Sequence, residues 1–200
     1  MAELNLTGIS VLVVERHQMM RGIIRDVLRQ FGVSNVVQSN SIDDAFSHFS
    51  EHGADLIVSD WSPDVDAIDL VRRVRRDPLS KDFYAPFIVM TAFCDLQRVC
   101  LARDAGIHEF LAKPFPAQHL YYRIRAIVDQ PRLFIRLSSY FGPDRRRRRM
   151  EWHGAERREH ANKTNNDRRK AKIPVHPDRR GVKVVDSRRG KRSDSEQKAA

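Results

Sequence analysis

The feature that most constrains the fold is an alternation of short apolar runs with helix-length amphipathic segments through the first 130 residues. Apolar runs occur at 9–14, 33–37, 54–60, 86–92 and 107–112. Between them, apolar residues recur three and four positions apart, as they do on one face of a helix. Five strands alternating with five helices predict a doubly wound, five-stranded and mainly parallel sheet, an α/β fold with helices on both faces.

The charge divides the chain into two parts. Residues 1–130 hold 14 Lys and Arg against 17 Asp and Glu, whereas residues 131–200 hold 22 against 9. The second part has too few apolar residues to offset the entropy of ordering it. We therefore predict a folded domain over 1–130 and a basic, mostly disordered extension over 131–200. The segment RLFIRLSSYFG (132–142) is more apolar, and either packs back on the domain or presents a short contact surface.

The sequence also limits the cellular setting. It shows no signal peptide and no long apolar stretch, which predicts a cytoplasmic protein. Cys94 and Cys100 are the only cysteines, so we expect packing residues rather than a disulfide framework or a cysteine-rich metal site.

Polar residues follow four of the predicted strands, where functional groups gather in such sheets. They are Glu15 and Arg16, Asp60, Thr91 and Lys113. Each alone has an ordinary explanation, such as a helix cap, a turn former or a solvated charge. Together, in this order, they indicate one site at the carboxyl edge of the sheet.

These residues lie in the segments VLVVE, LIVSDWSP, FIVMTA and FLAKPF. With them, residues 8–130 resemble the receiver domain of two-component response regulators, most closely the single-domain chemotaxis type. The resemblance implies a flavodoxin-like fold in which Asp60 accepts a phosphoryl group and Lys113 contacts it. Thr91 would be the switch hydroxyl and Phe110 the aromatic switch residue. A carboxylate is a fair nucleophile toward phosphorus when a cation shields the incoming charge.

The resemblance also implies a Mg²⁺ site formed by Glu15, Asp60 and the backbone carbonyl of Ser62. Arg16, however, stands where the family usually has a second acid, and the loop after Asp60 is one residue shorter than the usual pattern. Unit charges 4 Å apart at an effective dielectric near 20 interact by about 4 kcal/mol, so a cation here weakens or abolishes Mg²⁺ binding.

Three arrangements of Arg16 are open. It swings aside, and Asp60 accepts phosphoryl groups poorly. It pairs with Asp60 through two donors and locks a pseudo-receiver that serves as a binding module. Or it points to solvent and leaves Glu15, Asp60 and Ser62 as a weak metal site.

The expected function is phosphorelay signalling. A histidine kinase or phosphotransfer protein would supply the phosphoryl group. An output protein would bind the face formed by the fourth helix, fifth strand and fifth helix. Apart from its own phosphoryl transfer and hydrolysis, no enzyme activity is expected, because SDWSP lacks the second aspartate, two positions after the first, that aspartyl-phosphate hydrolases use as acid and base.

The extension carries clustered arginines and looks like the Gly-Pro-Asp-Arg-Arg extensions that follow some bacterial single-domain receivers. Such clusters neutralise phosphates, so non-specific nucleic acid or an acidic protein is a candidate partner, and a merely solvated tail is the alternative. No sequence-reading module follows the domain. The candidate residues are Arg145, Arg146, Arg147, Arg148, Arg149, Arg157 and Arg158.

Overall fold

The computed structural model describes residues 5–137, 140–145 and 173–175, and confirms the predicted α/β fold. Five parallel strands form the central sheet in the order β2-β1-β3-β4-β5. The strands are β1 (Ser10–Val14), β2 (Asn35–Ser39), β3 (Leu56–Asp60), β4 (Phe87–Thr91) and β5 (Glu109–Ala112).

Five helices connect these strands, as predicted, and the caps expected of polar residues fix several of their starts. The Ser41, Asp66 and Asp95 side chains each accept a hydrogen bond from a backbone N–H in the first turn that follows. The helices are α1 (Gln18–Gln30), α2 (Ile42–His52), α3 (Ala67–Arg76), α4 (Leu96–Ala105) and α5 (Ala117–Asp129). In the part of the chain that the structure describes, no helix is both long and apolar enough to cross a membrane.

Two apolar cores lie on opposite faces of the sheet, because successive residues of a strand point to opposite sides. Leu12 and Val14 of β1 belong to the core beneath α2, α3 and α4, which also contains Phe49 and Phe87. Val11 and Val13 belong to the core beneath α1 and α5, with Leu28, Leu120 and Ile124. Burial on both faces explains the nearly continuous apolar character of the strands.

Ordered structure continues beyond residue 130, where the predicted domain ends. Strands β6 (Phe134–Arg136) and β7 (Phe141–Pro143) pair as an antiparallel hairpin, and β8 (Ile173–Val175) pairs with the other edge of β6. Phe134 and Tyr140 are buried, so the segment packs back on the domain rather than extending from it. The predicted disorder of most of 131–200 concerns residues outside those described.

The hairpin contacts the domain through aromatic and cationic groups. The Phe134 ring meets the Tyr84 ring edge-on at 5.0 Å between centroids, and the Arg75 guanidinium lies 5.1 Å from the Phe134 centroid. Gly106, at the end of α4 with φ +101°, lies against the hairpin so closely that a Cβ there would come 2.9 Å from the Phe141 carbonyl oxygen. A glycine at this point therefore lets the hairpin dock.

Candidate functional site

The predicted site residues meet at the carboxyl ends of the strands, near β1 and β3. The strand order reverses between these two strands, and in such sheets a crevice opens at that point. Glu15 follows β1, Asp60 ends β3 and Lys113 follows β5. The Lys113 ammonium donates hydrogen bonds to Glu15 Oε2 and Asp60 Oδ1, each at 2.7 Å. The structure thus brings three of the predicted residues into direct contact.

The cluster is largely removed from water. The side chains of Glu15, Asp60 and Lys113 are 0%, 6% and 18% exposed. Burial alone would lower the pKa of the Lys113 ammonium, but its hydrogen bonds and charge pairing with Asp60 and Glu15 outweigh burial and raise that pKa. Lys113 therefore stays cationic at neutral pH and offsets one of the two negative charges.

The two carboxylates are held differently. Glu15 Oε2 is paired with Lys113, and Glu15 Oε1 accepts a hydrogen bond from the His17 backbone N–H at 3.0 Å. Asp60 Oδ1 is paired with Lys113, whereas no group within the described residues donates a hydrogen bond to Asp60 Oδ2. Asp60 thus keeps one oxygen with a free lone pair, which a nucleophile requires.

Thr91 closes the side of the site at the end of β4. Its hydroxyl donates to the Trp61 carbonyl at 2.7 Å and accepts from the Phe93 N–H at 3.1 Å. The Arg98 guanidinium lies 5.0 Å from the Trp61 ring centroid and 4.7 Å from that of Phe93. Thr91 is therefore tied to the residue that follows Asp60, not to Asp60 itself.

Arg16 does not pair with Asp60, one of the three arrangements left open by the sequence. Its guanidinium donates instead to Asp64 Oδ1 at 3.0 Å, and the two side chains are 60% and 52% exposed. Of these arrangements, the Arg16–Asp60 pair is therefore not the one in the structure, where Asp64 offers Arg16 a partner in water. The arrangement matches the expectation that Arg16 points outward.

The residues implied for Mg²⁺ do not fit that ion as they stand. Mg²⁺ is held by carboxylate and other oxygens in near-octahedral geometry. Here the ammonium of Lys113 lies between the carboxylates of Glu15 and Asp60, and the Ser62 carbonyl accepts the Val65 N–H at 3.2 Å within a tight turn. Within the described residues, no group of three His, Cys, Asp or Glu could hold a metal ion.

Sequence reasoning missed two residues that shape the site. Arg21 donates from α1 to the Glu15 carbonyl at 2.6 Å and to the Arg16 carbonyl at 3.1 Å, which fixes the loop after β1. Asp64 holds Arg16 away from Asp60. The position of Asp64 in the shortened loop was the available signal, whereas Arg21 looked like any polar residue of a helix.

The remaining predicted residues lie away from this cluster. Phe110, on β5, is half-buried against the core beneath α2, α3 and α4. Leu96 of α4 and Tyr122 of α5 are exposed. Arg145 pairs with Asp104 at 3.0 Å and lies 4.0 Å from the Tyr140 ring centroid. The other predicted polyanion-binding residues, Arg146, Arg147, Arg148, Arg149, Arg157 and Arg158, lie outside the described residues.

Comparison with known proteins agrees with this geometry. The family model described as response regulator receiver domain matches residues 11–125. The chain is 31% identical over 121 residues to the chemotaxis protein CheY of Pseudomonas aeruginosa, covering 60% of this chain and 96% of that protein. It is 27% identical over 124 residues to CheY-3 of Vibrio cholerae, covering 62% and 94%.

Solved structures show the same fold. A response regulator of Chloroflexus aurantiacus superposes with a TM-score of 0.55 at 29% identity, covering 61% of this chain and 98% of that one. The receiver domain of the histidine kinase CKI1 from Arabidopsis thaliana, solved with Mg²⁺ and BeF₃⁻, gives a TM-score of 0.56 at 25% identity and covers 62% and 93%.

Receiver domains are signalling proteins that interact with histidine kinases or phosphotransfer proteins, and their chemistry is limited to their own phosphorylation and hydrolysis. The matched family model spans more than half of the chain, and the predicted acids and lysine meet at the switch point of the sheet. The protein therefore belongs to the response regulator receiver family, with relatives of the single-domain chemotaxis type.

Proposed function

We propose that this receiver accepts a phosphoryl group on Asp60 from a histidine kinase or phosphotransfer protein, in the cytoplasm, and signals by protein contacts. The observation that carries the proposal is the Asp60 carboxylate, which is almost buried, is paired through one oxygen with Lys113 at 2.7 Å, and has its other oxygen free of donors within the described residues. A free carboxylate oxygen beside a fixed cation is suited to attack phosphorus.

In this reaction Asp60 Oδ2 forms a bond to phosphorus while the bond between phosphorus and the donor's imidazole nitrogen breaks. The leaving nitrogen takes a proton from solvent. Lys113 remains hydrogen-bonded to the aspartyl group and offsets the charge of the incoming phosphoryl oxygens. Hydrolysis reverses the modification when water attacks phosphorus and the carboxylate leaves.

The proposed output follows from Thr91 and Phe110. The Thr91 hydroxyl now donates to the Trp61 carbonyl, and a phosphoryl oxygen on Asp60 would compete for it. Movement of Thr91 would be passed to Phe110, which is half-buried on β5, and so to the face formed by α4, β5 and α5, whose helices expose apolar residues. The output partner is expected to bind that face.

For the metal, the proposal is that this chain has a much lower affinity for Mg²⁺ than a receiver that carries a second acid at position 16. Titration with Mg²⁺, followed by the fluorescence of Trp61 beside Asp60, should give no saturation in the low millimolar range. The same titration of Asp60→Asn is the control, because a fluorescence change that persists in this variant arises away from Asp60, for example at Trp152.

The deciding experiment is intact-mass spectrometry of the full chain after incubation with acetyl phosphate, with and without Mg²⁺. We expect a slow phosphoryl adduct on the parent that Asp60→Asn abolishes. An adduct that survives in Asp60→Asn would place the chemistry elsewhere. If only an Arg16→Asp variant is modified, the parent would be a pseudo-receiver that signals by binding alone.

A second candidate function is polyanion binding through the extension, favoured by the excess of 22 Lys and Arg over 9 Asp and Glu in residues 131–200. Binding of this kind should weaken steeply as salt rises, because it releases counterions. Retention on immobilised DNA or RNA, compared between the parent and a full chain with Arg146–Arg149 changed to glutamine, separates this function from phosphorylation at Asp60.

A further inference from the structure

A small cavity of about 200 Å³ opens between α3, α4 and the hairpin, on the face of the sheet that carries α2, α3 and α4. Arg72, Arg75 and Arg76 line it from α3. Residues three and four apart lie on the same face of a helix, so these guanidinium groups share one surface. Leu101 of α4 and Phe141 of β7 supply apolar walls.

The charges around this cavity are not balanced. Arg72 and Arg76 are exposed and form no ion pair within the described residues. The single acid in the lining, Asp104, is already paired with Arg103 at 2.9 Å and Arg145 at 3.0 Å. Arg73, between them in sequence, points elsewhere and pairs with Asp43 and Asp69. Among the described residues that line it, the cavity therefore has an excess of positive charge.

Arg75 is fixed at the base of this surface. It is only 3% exposed, and its terminal nitrogens donate to the carbonyls of Phe83, Ala85 and Gly106 at 2.8–3.1 Å. Burial lowers its pKa to about 10, so it is still cationic at neutral pH. Its Nε–H has no acceptor among the described residues, and a buried donor of this kind calls for a partner.

The volume of the cavity and the charge of its lining together indicate which kind of ligand it can bind. The cavity is smaller than the 300–1,000 Å³ of sites that enclose a whole drug-sized molecule, but it has room for one tetrahedral oxyanion. Guanidinium groups match phosphate oxygens through their paired donors. Three such groups against one already paired carboxylate suit a multiply charged group better than a single carboxylate.

From these observations we infer that the cavity between α3, α4 and the hairpin binds a phosphate group, with Arg72 and Arg76 as its direct donors and Arg75 as the fixed charge beneath them. The site is separate from Asp60 and does not depend on phosphoryl transfer there. The ligand is free phosphate or the phosphate end of a larger molecule that extends over Phe141.

The test is calorimetric titration of the full chain with inorganic phosphate and with a nucleoside monophosphate, at ionic strength held constant with chloride. We expect saturable binding, and at least about tenfold weaker binding in Arg72→Gln/Arg76→Gln, since hydrogen bonds to charged groups contribute that much or more. Arg25→Gln/Arg29→Gln on α1 has the same spacing and charge change and should bind like the parent.

Further variants test whether phosphate binds at other arginines instead of at the proposed site. A full chain with Arg146–Arg149 changed to glutamine and an Asp60→Asn variant should both retain the binding, and the amide NMR signals of 72–76, 105–106 and 141–142 should shift with phosphate. Equal affinity for both probes identifies free phosphate as the ligand, and tighter binding of the monophosphate identifies a larger one. Absence of saturable binding, or its loss only in the Arg146–Arg149 variant, would overturn the inference.

Discussion

Lys113 is the residue that makes the site physically possible. Each of the two buried carboxylates accepts a hydrogen bond from the same ammonium at 2.7 Å, so that one cation offsets their mutual repulsion. The same pairing leaves only one oxygen of Asp60 for chemistry. Reactivity and stability at this edge of the sheet therefore depend on the same cation.

Removal of that cation is expected to destabilise the fold. We expect Lys113→Met to lower the free energy of unfolding at neutral pH by about 3 kcal/mol, because it leaves two buried carboxylates without their shared cation. Urea denaturation measures the change. Adding Glu15→Gln to Lys113→Met should restore part of the loss, and a double variant as unstable as the single one would show that charge repulsion is not the cause.

Arg16 lies outside the cluster, so its substitutions test the metal site rather than the fold. We expect Arg16→Asp to supply the missing acid and to speed formation of the Asp60 adduct by at least about tenfold in the presence of Mg²⁺. Arg16→Asn removes the cation without adding an acid and should give little Mg²⁺ dependence. Equal rates for the two variants would mean that loss of positive charge alone controls the reaction.

The Thr91 hydroxyl has a structural role before any switching role. Its bond to the Trp61 carbonyl at 2.7 Å should contribute about 1 kcal/mol to stability. We expect Thr91→Val to lose this amount in urea denaturation, whereas Thr91→Ser should retain most of it. A loss in Thr91→Ser with none in Thr91→Val would assign the stabilising effect to packing of the methyl group and not to the hydrogen bond.

At the scale of elements, the hairpin is an addition to the receiver fold that docks through the close approach of two glycines. A Cβ on Gly142 would come 2.7 Å from Gly106 Cα and 2.7 Å from the Tyr140 hydroxyl oxygen. We therefore expect Gly142→Ala to undock the hairpin while the five-stranded sheet stays folded. Amide hydrogen exchange should show faster exchange in 134–143 and unchanged exchange in β1, β3 and β4.

A matched control is available in α1. Gly22 is in the helix, and a Cβ there meets nothing within 4 Å. Gly22→Ala should therefore leave the hairpin docked and raise the free energy of unfolding by up to about 1 kcal/mol, because alanine favours helix over glycine. Slow exchange in the hairpin of Gly142→Ala would contradict the proposed role of the glycine contact.

Most of the elements could be predicted because each strand is a short apolar run and helices such as α1, α3 and α5 have an apolar face. The hairpin could not be assigned in advance, since RLFIRLSSYFG is too short to show a period. Its position depends on Arg75, His108 and Gly106, which come from other elements. Likewise, Glu15, Asp60 and Lys113 could be predicted to lie together because each follows or ends a strand. Whether Arg16 pairs with Asp60 or with Asp64 depends on side-chain geometry, which a sequence pattern does not show.

For the molecule as a whole, His108 links the sheet, α3 and the hairpin, and makes stability depend on pH. It is buried beside Phe134, and its Nδ1 accepts the Phe87 N–H at 3.2 Å, which requires the neutral ring. Burial, with the nearby charges of Arg75 and Arg132, holds its pKa well below 6.5. The unfolded chain therefore takes up a proton at a higher pH than the folded protein does.

The sign of the effect follows from this difference. Above about pH 6.5 both states are neutral at His108 and stability is full. Below that pH the unfolded state is protonated first, so stability falls by up to about 1.4 kcal/mol per pH unit until the folded pKa is reached.

Urea denaturation between pH 7.5 and pH 5 should show this slope. His108→Asn, which keeps an acceptor near Phe87, should flatten it whatever its stability at neutral pH, whereas His119→Asn, at an exposed position of α5, should leave it unchanged. A slope that persists in His108→Asn would assign the acid sensitivity of folding to other groups.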